Sequence, residues 1–170
     1  MTMKFIGVIM VIVSCGGVGL KIAANHRQEE HALRQLIKIL DYMECELQYR
    51  LTPLPALCRQ AYDMFPGLPG KVFMELSLEI NAQISPDIAQ CMNAALNNVR
   101  SIPAVTRMEL ELLGKSIGRF DLDGQLKGLD AVREDCKRNL NLLTDNQENR
   151  LRSYQTLGLC AGAALAILFV

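Results

Sequence analysis

The chain has 170 residues, half of them hydrophobic, 21% charged and only 5% aromatic, with no tryptophan. That length sets one ordinary domain, and the apolar content excludes a disordered chain; few aromatic and β-branched residues beside much Leu, Met, Ala, Gln and Glu exclude a β-rich sandwich. Eighteen basic residues balance eighteen acidic ones, so no global field draws the chain to nucleic acid.

The chain opens on an apolar run. No charged residue stands between Lys4 and Lys21. As helix, the sixteen residues Phe5–Leu20 cover about 24 Å, against a hydrocarbon core of roughly 30 Å. Snorkelling lysines and the following Ile22, Ala23 and Ala24 lengthen the run, which gives an expected transmembrane helix over residues 3–24. Cys15 carries a second reading. Lys4, the apolar stretch and Ser14-Cys15-Gly16 have the form of a lipoprotein signal, cleaved before a lipidated Cys15, which makes the rest an outward-facing helical binding protein. Charge placement opposes it. Lys21, His26 and Arg27 follow the first run, and Arg150 and Arg152 precede the last, so the positive residues border the middle of the chain and favour a cytosolic middle.

From His26 to Leu51 the apolar positions Leu33, Leu36, Ile37, Leu40, Met43 and Leu47 recur at three- and four-residue steps, with charge on the other side. This predicts an amphipathic helix continuous with the first run. Thr52-Pro53-Leu54-Pro55 ends it, since a residue before proline is pushed out of helical geometry. A short helix follows over 55–65, and Pro66-Gly67-Leu68-Pro69-Gly70 breaks the chain. A third helix is expected over 71–83, with Val72, Phe73, Leu76 and Ile80 inward. Ser85-Pro86-Asp87 starts the next, with Ser85 as cap, and it runs to about Arg100. Ser101-Ile102-Pro103 separates a helix over 105–117, closed by Gly118.

From Leu122 the stripe returns through Leu126, Leu129, Cys136, Leu140 and Leu143, interrupted by Arg133 and Gln147, and enters a second apolar run, residues 153–170. That run holds no charge and is long enough to span a membrane. The expected architecture is all-α: a cytosolic bundle of about six helices over 25–152, its long first and last helices antiparallel, flanked by transmembrane helices at 3–24 and 153–170.

Chemistry is hard to find. His26 and His31 are five apart on a helix, about 140° round it, and do not converge on one metal. Asp121-Leu122-Asp123-Gly124 begins like a calcium loop, but the position of the closing glutamate is Val132, so a helix cap is the better reading of Asp121 or Asp123. No phosphate-binding glycine loop, GxSxG or Cys–His pairing occurs, and the carboxylates are expected on exposed helix faces. No catalytic, cofactor-binding or metal residue is expected, and the chain is not expected to be an enzyme. Two interaction signals remain. Gly158 and Gly162 form a GxxxG that lets membrane helices pack closely, against the plain reading that glycine is common in such helices. The stretches 51–55 and 114–121 are docking-type loops, unless Leu54 and Phe120 merely plug the bundle ends.

Three stretches carry a resemblance: Glu46-LQYRLTPLPALCRQA-Tyr62, Leu112-LGKSIGRFDLDG-Gln125 and Tyr154-QTLGLCAGAALAILF-Val170. In them the chain resembles the stage III sporulation protein AB family of endospore-forming bacteria over nearly its whole length. A fainter likeness, in Leu47-x-x-x-Leu51-Thr-Pro-Leu-Pro-x-Leu57 and the helical plan, is to the cytosolic domains of type II secretion and type IV pilus platform proteins. The resemblance implies a membrane platform in a secretion-like complex needed for endospore formation. It would sit in the mother-cell-derived membrane around the forespore, with the bundle in the cytosol beside the complex's ATPase, stage III sporulation protein AA, and its other membrane components. Self-association is left open. The family-like positions are Leu51, Thr52, Pro53, Leu54 and Pro55; Gly114, Gly118, Asp121 and Gln125; and Gly158 and Gly162, all with structural or docking roles. Asp121 and Gln125, one turn apart, either cap the last helix or bind a partner's backbone.

Overall fold

A proline or glycine stands near most helix ends, and the connections form where these residues force them. A computed structural model describes the backbone over residues 2–50, 52–83, 85–117 and 122–169, and the side chains over 25–50, 52–83, 85–117 and 122–145. Six helices follow one another: α1 (Thr2–Arg50), α2 (Leu54–Met64), α3 (Leu68–Asn81), α4 (Ile88–Asn98), α5 (Ala104–Ser116) and α6 (Leu122–Phe169). No strand occurs among the described residues. The first and last helices run unbroken for 49 and 48 residues. Among the described residues no helix is long and apolar enough to cross a membrane. The runs that carry that expectation, 3–24 and 153–170, lie outside the described side chains.

Local chemistry sets the helix starts. Pro53 precedes α2 in extended geometry (φ −57°, ψ 138°), and its carbonyl accepts from the Leu57 amide at 2.9 Å. Pro103 does the same for α5, accepting from the Arg107 amide at 2.8 Å. Two starts differ from expectation. The cap of α4 is Asp87, not Ser85: its carboxylate accepts from the Ala89 amide at 3.1 Å, and Ser85 Oγ is used two residues earlier, accepting from the Asp87 amide at 3.2 Å. A carboxylate two residues before the amide it caps is well placed, and Ser85 is too far upstream. Likewise α3 begins at Leu68 rather than Lys71. Pro69 sits in its first turn, where a missing amide costs nothing. Gly70 is buried inside the helix because a Cβ there would come within 2.3 Å of the Phe65 carbonyl oxygen.

Consecutive helices pack against each other, and α1 closes the bundle against α6. Cross-links between helices give the directions. Glu109 meets Asn139 while Ser116 meets Gly128, so α5 and α6 are antiparallel. Asp41 and Glu44 meet Arg133, and Glu29 meets Thr106, which sets α1 antiparallel to α6 as expected. The bundle thus has two ends. At the stem end, residues 26–30 of α1 and 139–145 of α6 lead toward the apolar runs. At the loop end are the C-terminus of α1, the N-terminus of α2 and the N-terminus of α6.

The core takes residues from every helix. Leu33, Leu36, Ile39, Leu40 and Met43 of α1 are wholly buried, with Leu57, Phe73, Leu76, Met92, Leu96, Leu110, Leu113 and Cys136 from the others. Ile39, outside the expected stripe, is buried, whereas Ile37 is only half-buried against the core. A helix enclosed on several sides buries a wider arc than one amphipathic stripe.

Candidate functional site

Of the family-like residues, Thr52, Pro53, Leu54, Pro55 and Gln125 lie at the loop end. Thr52, half-buried, donates from Oγ1 to Glu46 Oε2 at 3.1 Å, and Arg50 lies 3.4 Å from the other oxygen of that carboxylate. Glu46 is thereby held beneath the chain as it leaves α1. Pro53 is exposed, while Leu54 packs against the core and plugs the start of α2. Gln125 is half-buried in the first turn of α6 and engaged in interactions there. Around these residues Tyr49 is 80% exposed and Leu122 is 38% exposed. The loop end therefore offers an aromatic ring, an apolar side chain and the exposed Arg50, Pro53 and Asp123, a mixture suited to protein contact.

Gly114 has another role. It is buried in α5, and a Cβ there would stand 2.7 Å from Met92 Cβ and 3.6 Å from Ala89 Cα. It lets α4 and α5 approach closely at this level, a packing residue inside α5 and not part of an exposed loop. Leu51, Gly118 and Asp121 lie outside the described residues, and Cys15, Gly158 and Gly162 lie outside those whose side chains are described, so the expectations for them do too.

Three polar links between helices were not legible as such. Arg133 reaches from α6 to Asp41 of α1 at 3.2 Å, and contacts Glu44 and its own neighbour Asp130. Its guanidinium is held above its ordinary value, because these carboxylates outweigh the opposing effect of burial. The sequence marks Arg133 only as an interruption of the apolar stripe. Near the stem end Glu29 accepts from both the amide and Oγ1 of Thr106, each at 2.9 Å. One turn on, Glu109 accepts from Asn139 Nδ2 at 2.8 Å. Glu109 is 2% exposed, and its Oε2 is buried without a hydrogen-bond partner. Not all carboxylates are on exposed faces, then: the faces of α5 toward α1 and α6 carry buried polar groups at Thr106 and Glu109. Burial raises the Glu109 carboxyl above its ordinary value, the nearby Asp135 adds to this, and Asn139 and Arg138 oppose it.

Cys58 and Cys136 are buried thiols pushed up to about 12, burial being the main cause in each. Cys91 is raised too, first by burial. Among the described residues no group of three metal-ligating side chains comes together.

The fold and its ends define a class: an all-α bundle built on a long antiparallel pair of helices, with polar and apolar contact groups displayed at the end away from the stem. The chain belongs to the stage III sporulation protein AB family, whose model matches residues 4–170. Membership gives it a role in sporulation, in a family not known for enzymes. The chain is also similar to a solved structure of a stage III sporulation protein AB, at 18% identity with a TM-score of 0.64, covering 72% of this chain and 98% of that one. That likeness speaks for the six-helix fold. No curated protein matches the chain.

Proposed function

We propose that this chain is a non-enzymatic membrane platform of a secretion-like complex in spore formation, with a cytosolic bundle that docks the complex's ATPase through its loop end. The observation that carries the reading is the convergence of two distant family-like stretches, 52–55 and 122–125, at the end of the bundle away from the stem. The apolar runs beyond the stem supply the membrane anchor. The charged residues bordering the bundle favour a cytosolic position for it. The ATPase is stage III sporulation protein AA, and the other membrane components of the complex meet the chain within the bilayer, through the small residues Gly158 and Gly162.

The test is site-specific photocrosslinking with the full chain in its own cells. A photoreactive residue at Pro53 or Asp123 captures the ATPase, and one at Lys71, toward the stem, does not. Capture at Lys71 alone overturns the assignment of the docking end, and absence of the ATPase from every product overturns the adaptor role.

A further inference from the structure

A cavity of about 370 Å³ opens between the C-terminal part of α2, the first two turns of α3 and the segment that leaves α4. This is within the range of small-ligand sites, roughly 300–1,000 Å³. Its lining is amphipathic. Leu68, Met74 and Val99 supply an apolar wall, and Lys71 and Arg100 supply two cations. Both cations are exposed, and neither has a carboxylate partner among the described residues. One acid, Glu75, shares the cavity and accepts from Asn98 Nδ2 at 3.0 Å through Oε2. The cavity also sits at the stem end: Ser101 on its edge accepts from Gln28 of α1 at 3.4 Å.

Two cations suit a phosphate, and an acid with an oxygen to spare suits a hydroxyl. We infer that this cavity binds a phosphate ester that carries a neighbouring hydroxyl, with Lys71 and Arg100 on the phosphate, Glu75 accepting from the hydroxyl, and the apolar wall against the carbon skeleton. The phosphoglycerol headgroup of an anionic phospholipid has this chemistry, and so does a soluble glycerol phosphate. The stem-end position favours the lipid, and that choice of source rests on the membrane reading above.

The full chain in neutral detergent micelles is titrated with short-chain phosphatidylglycerol, phosphatidylmethanol and glycerol 3-phosphate, and binding is read by native mass spectrometry. Because no bilayer is involved, the result is independent of which way the chain crosses one. Phosphatidylglycerol binds saturably, and Lys71→Gln with Arg100→Gln weakens it about tenfold, as loss of charged hydrogen bonds requires. Glu75→Leu removes a preference of about fivefold for phosphatidylglycerol over the hydroxyl-free phosphatidylmethanol. Unchanged helicity and melting in these exposed or half-exposed variants separates binding from folding. Equal binding by the double variant, or no saturable binding by the parent, overturns the site. Glycerol 3-phosphate that displaces the lipid at equal concentration overturns the lipid as its source.

Discussion

Arg133 on α6 and Asp41 on α1 meet at 3.2 Å across 92 residues of sequence, with Glu44 and Asp130 around the same guanidinium. One cation thus serves three carboxylates on the seam between the two long helices. Removing it leaves like charges facing each other, Glu44 half-buried and Asp41 and Asp130 exposed. Arg133→Ala is expected to cost about 1–2 kcal/mol, the partial exposure of the pair keeping this below the cost of a fully buried break. Arg133→Met, which restores the stem of the side chain, together with Asp41→Asn and Glu44→Gln should recover most of that loss. Urea unfolding followed by circular dichroism reads both, and a loss in Arg133→Ala below a few tenths of a kcal/mol would remove the seam's electrostatic role.

Glu109 makes the stability of the bundle pH-dependent. Its folded carboxyl is raised above its unfolded value, so its full contribution is present below about pH 4.3 and declines as pH rises through the folded value. Glu109→Gln keeps a group that can accept from Asn139 and removes the buried charge. The variant should gain about 1 kcal/mol at pH 8, or roughly 3 °C in melting temperature, and nothing at pH 4. A gain that is equal at both values would mean that the effect is packing and not ionisation.

Gly114 and Gly128 each hold two helices close. An added methyl would stand 2.7 Å from Met92 Cβ in the first case and 2.7 Å from Ser116 Cβ in the second. Alanine is the better helix former by about 1 kcal/mol, yet overpacking of this kind costs about 1–3 kcal/mol. Gly114→Ala should therefore destabilise, and should cost less in a Met92→Gly background, which lacks both the Cβ and the Cγ that crowd the new methyl. Thermal melting of the single and double variants checks the coupling, and simple additivity would place the strain elsewhere.

Thiol chemistry separates the cysteines. Cys45 is exposed, whereas Cys58, Cys91 and Cys136 are buried with raised thiols. Because the thiolate is the reactive form, an alkylating reagent at pH 7.5 should modify Cys45 and leave those three intact until denaturant is added. Peptide mass spectrometry resolves the four sites. Comparable labelling of Cys58 in the native chain would mean that α2 opens readily from the bundle.

The helices themselves were readable because apolar spacing and proline placement report directly on local geometry. The start of α2 after Thr52-Pro53 and the continuity of α6 follow from those signals alone. The Ser85-Pro86-Asp87 start misled by two residues because two capping side chains stand on either side of one proline, and only the amide positions decide which is used. Gly114 read as part of a loop because its neighbour across the gap, Met92, is 22 positions away in sequence, and nothing local announces it. For Gly128 a signal existed in Gly124-Gln-Leu-Lys-Gly128, a small-residue spacing in a polar helix. The Glu29–Thr106 and Glu109–Asn139 links depend on register between helices, which periodicity does not carry.

The seam between α1 and α6 has a temporal meaning. Every other major contact of the bundle joins helices that are neighbours or near neighbours along the chain, or joins α1 to α2, α3 or α5, whereas this one joins the first helix to the last. During synthesis, the groove that α6 fills stays open until nearly the whole chain has left the ribosome, with Asp41 and Glu44 awaiting their cation. Their negative charge keeps the waiting edge of α1 wetted and averse to other acidic surfaces, and Arg133, arriving late, both neutralises it and sets the register in which the last helix comes to rest.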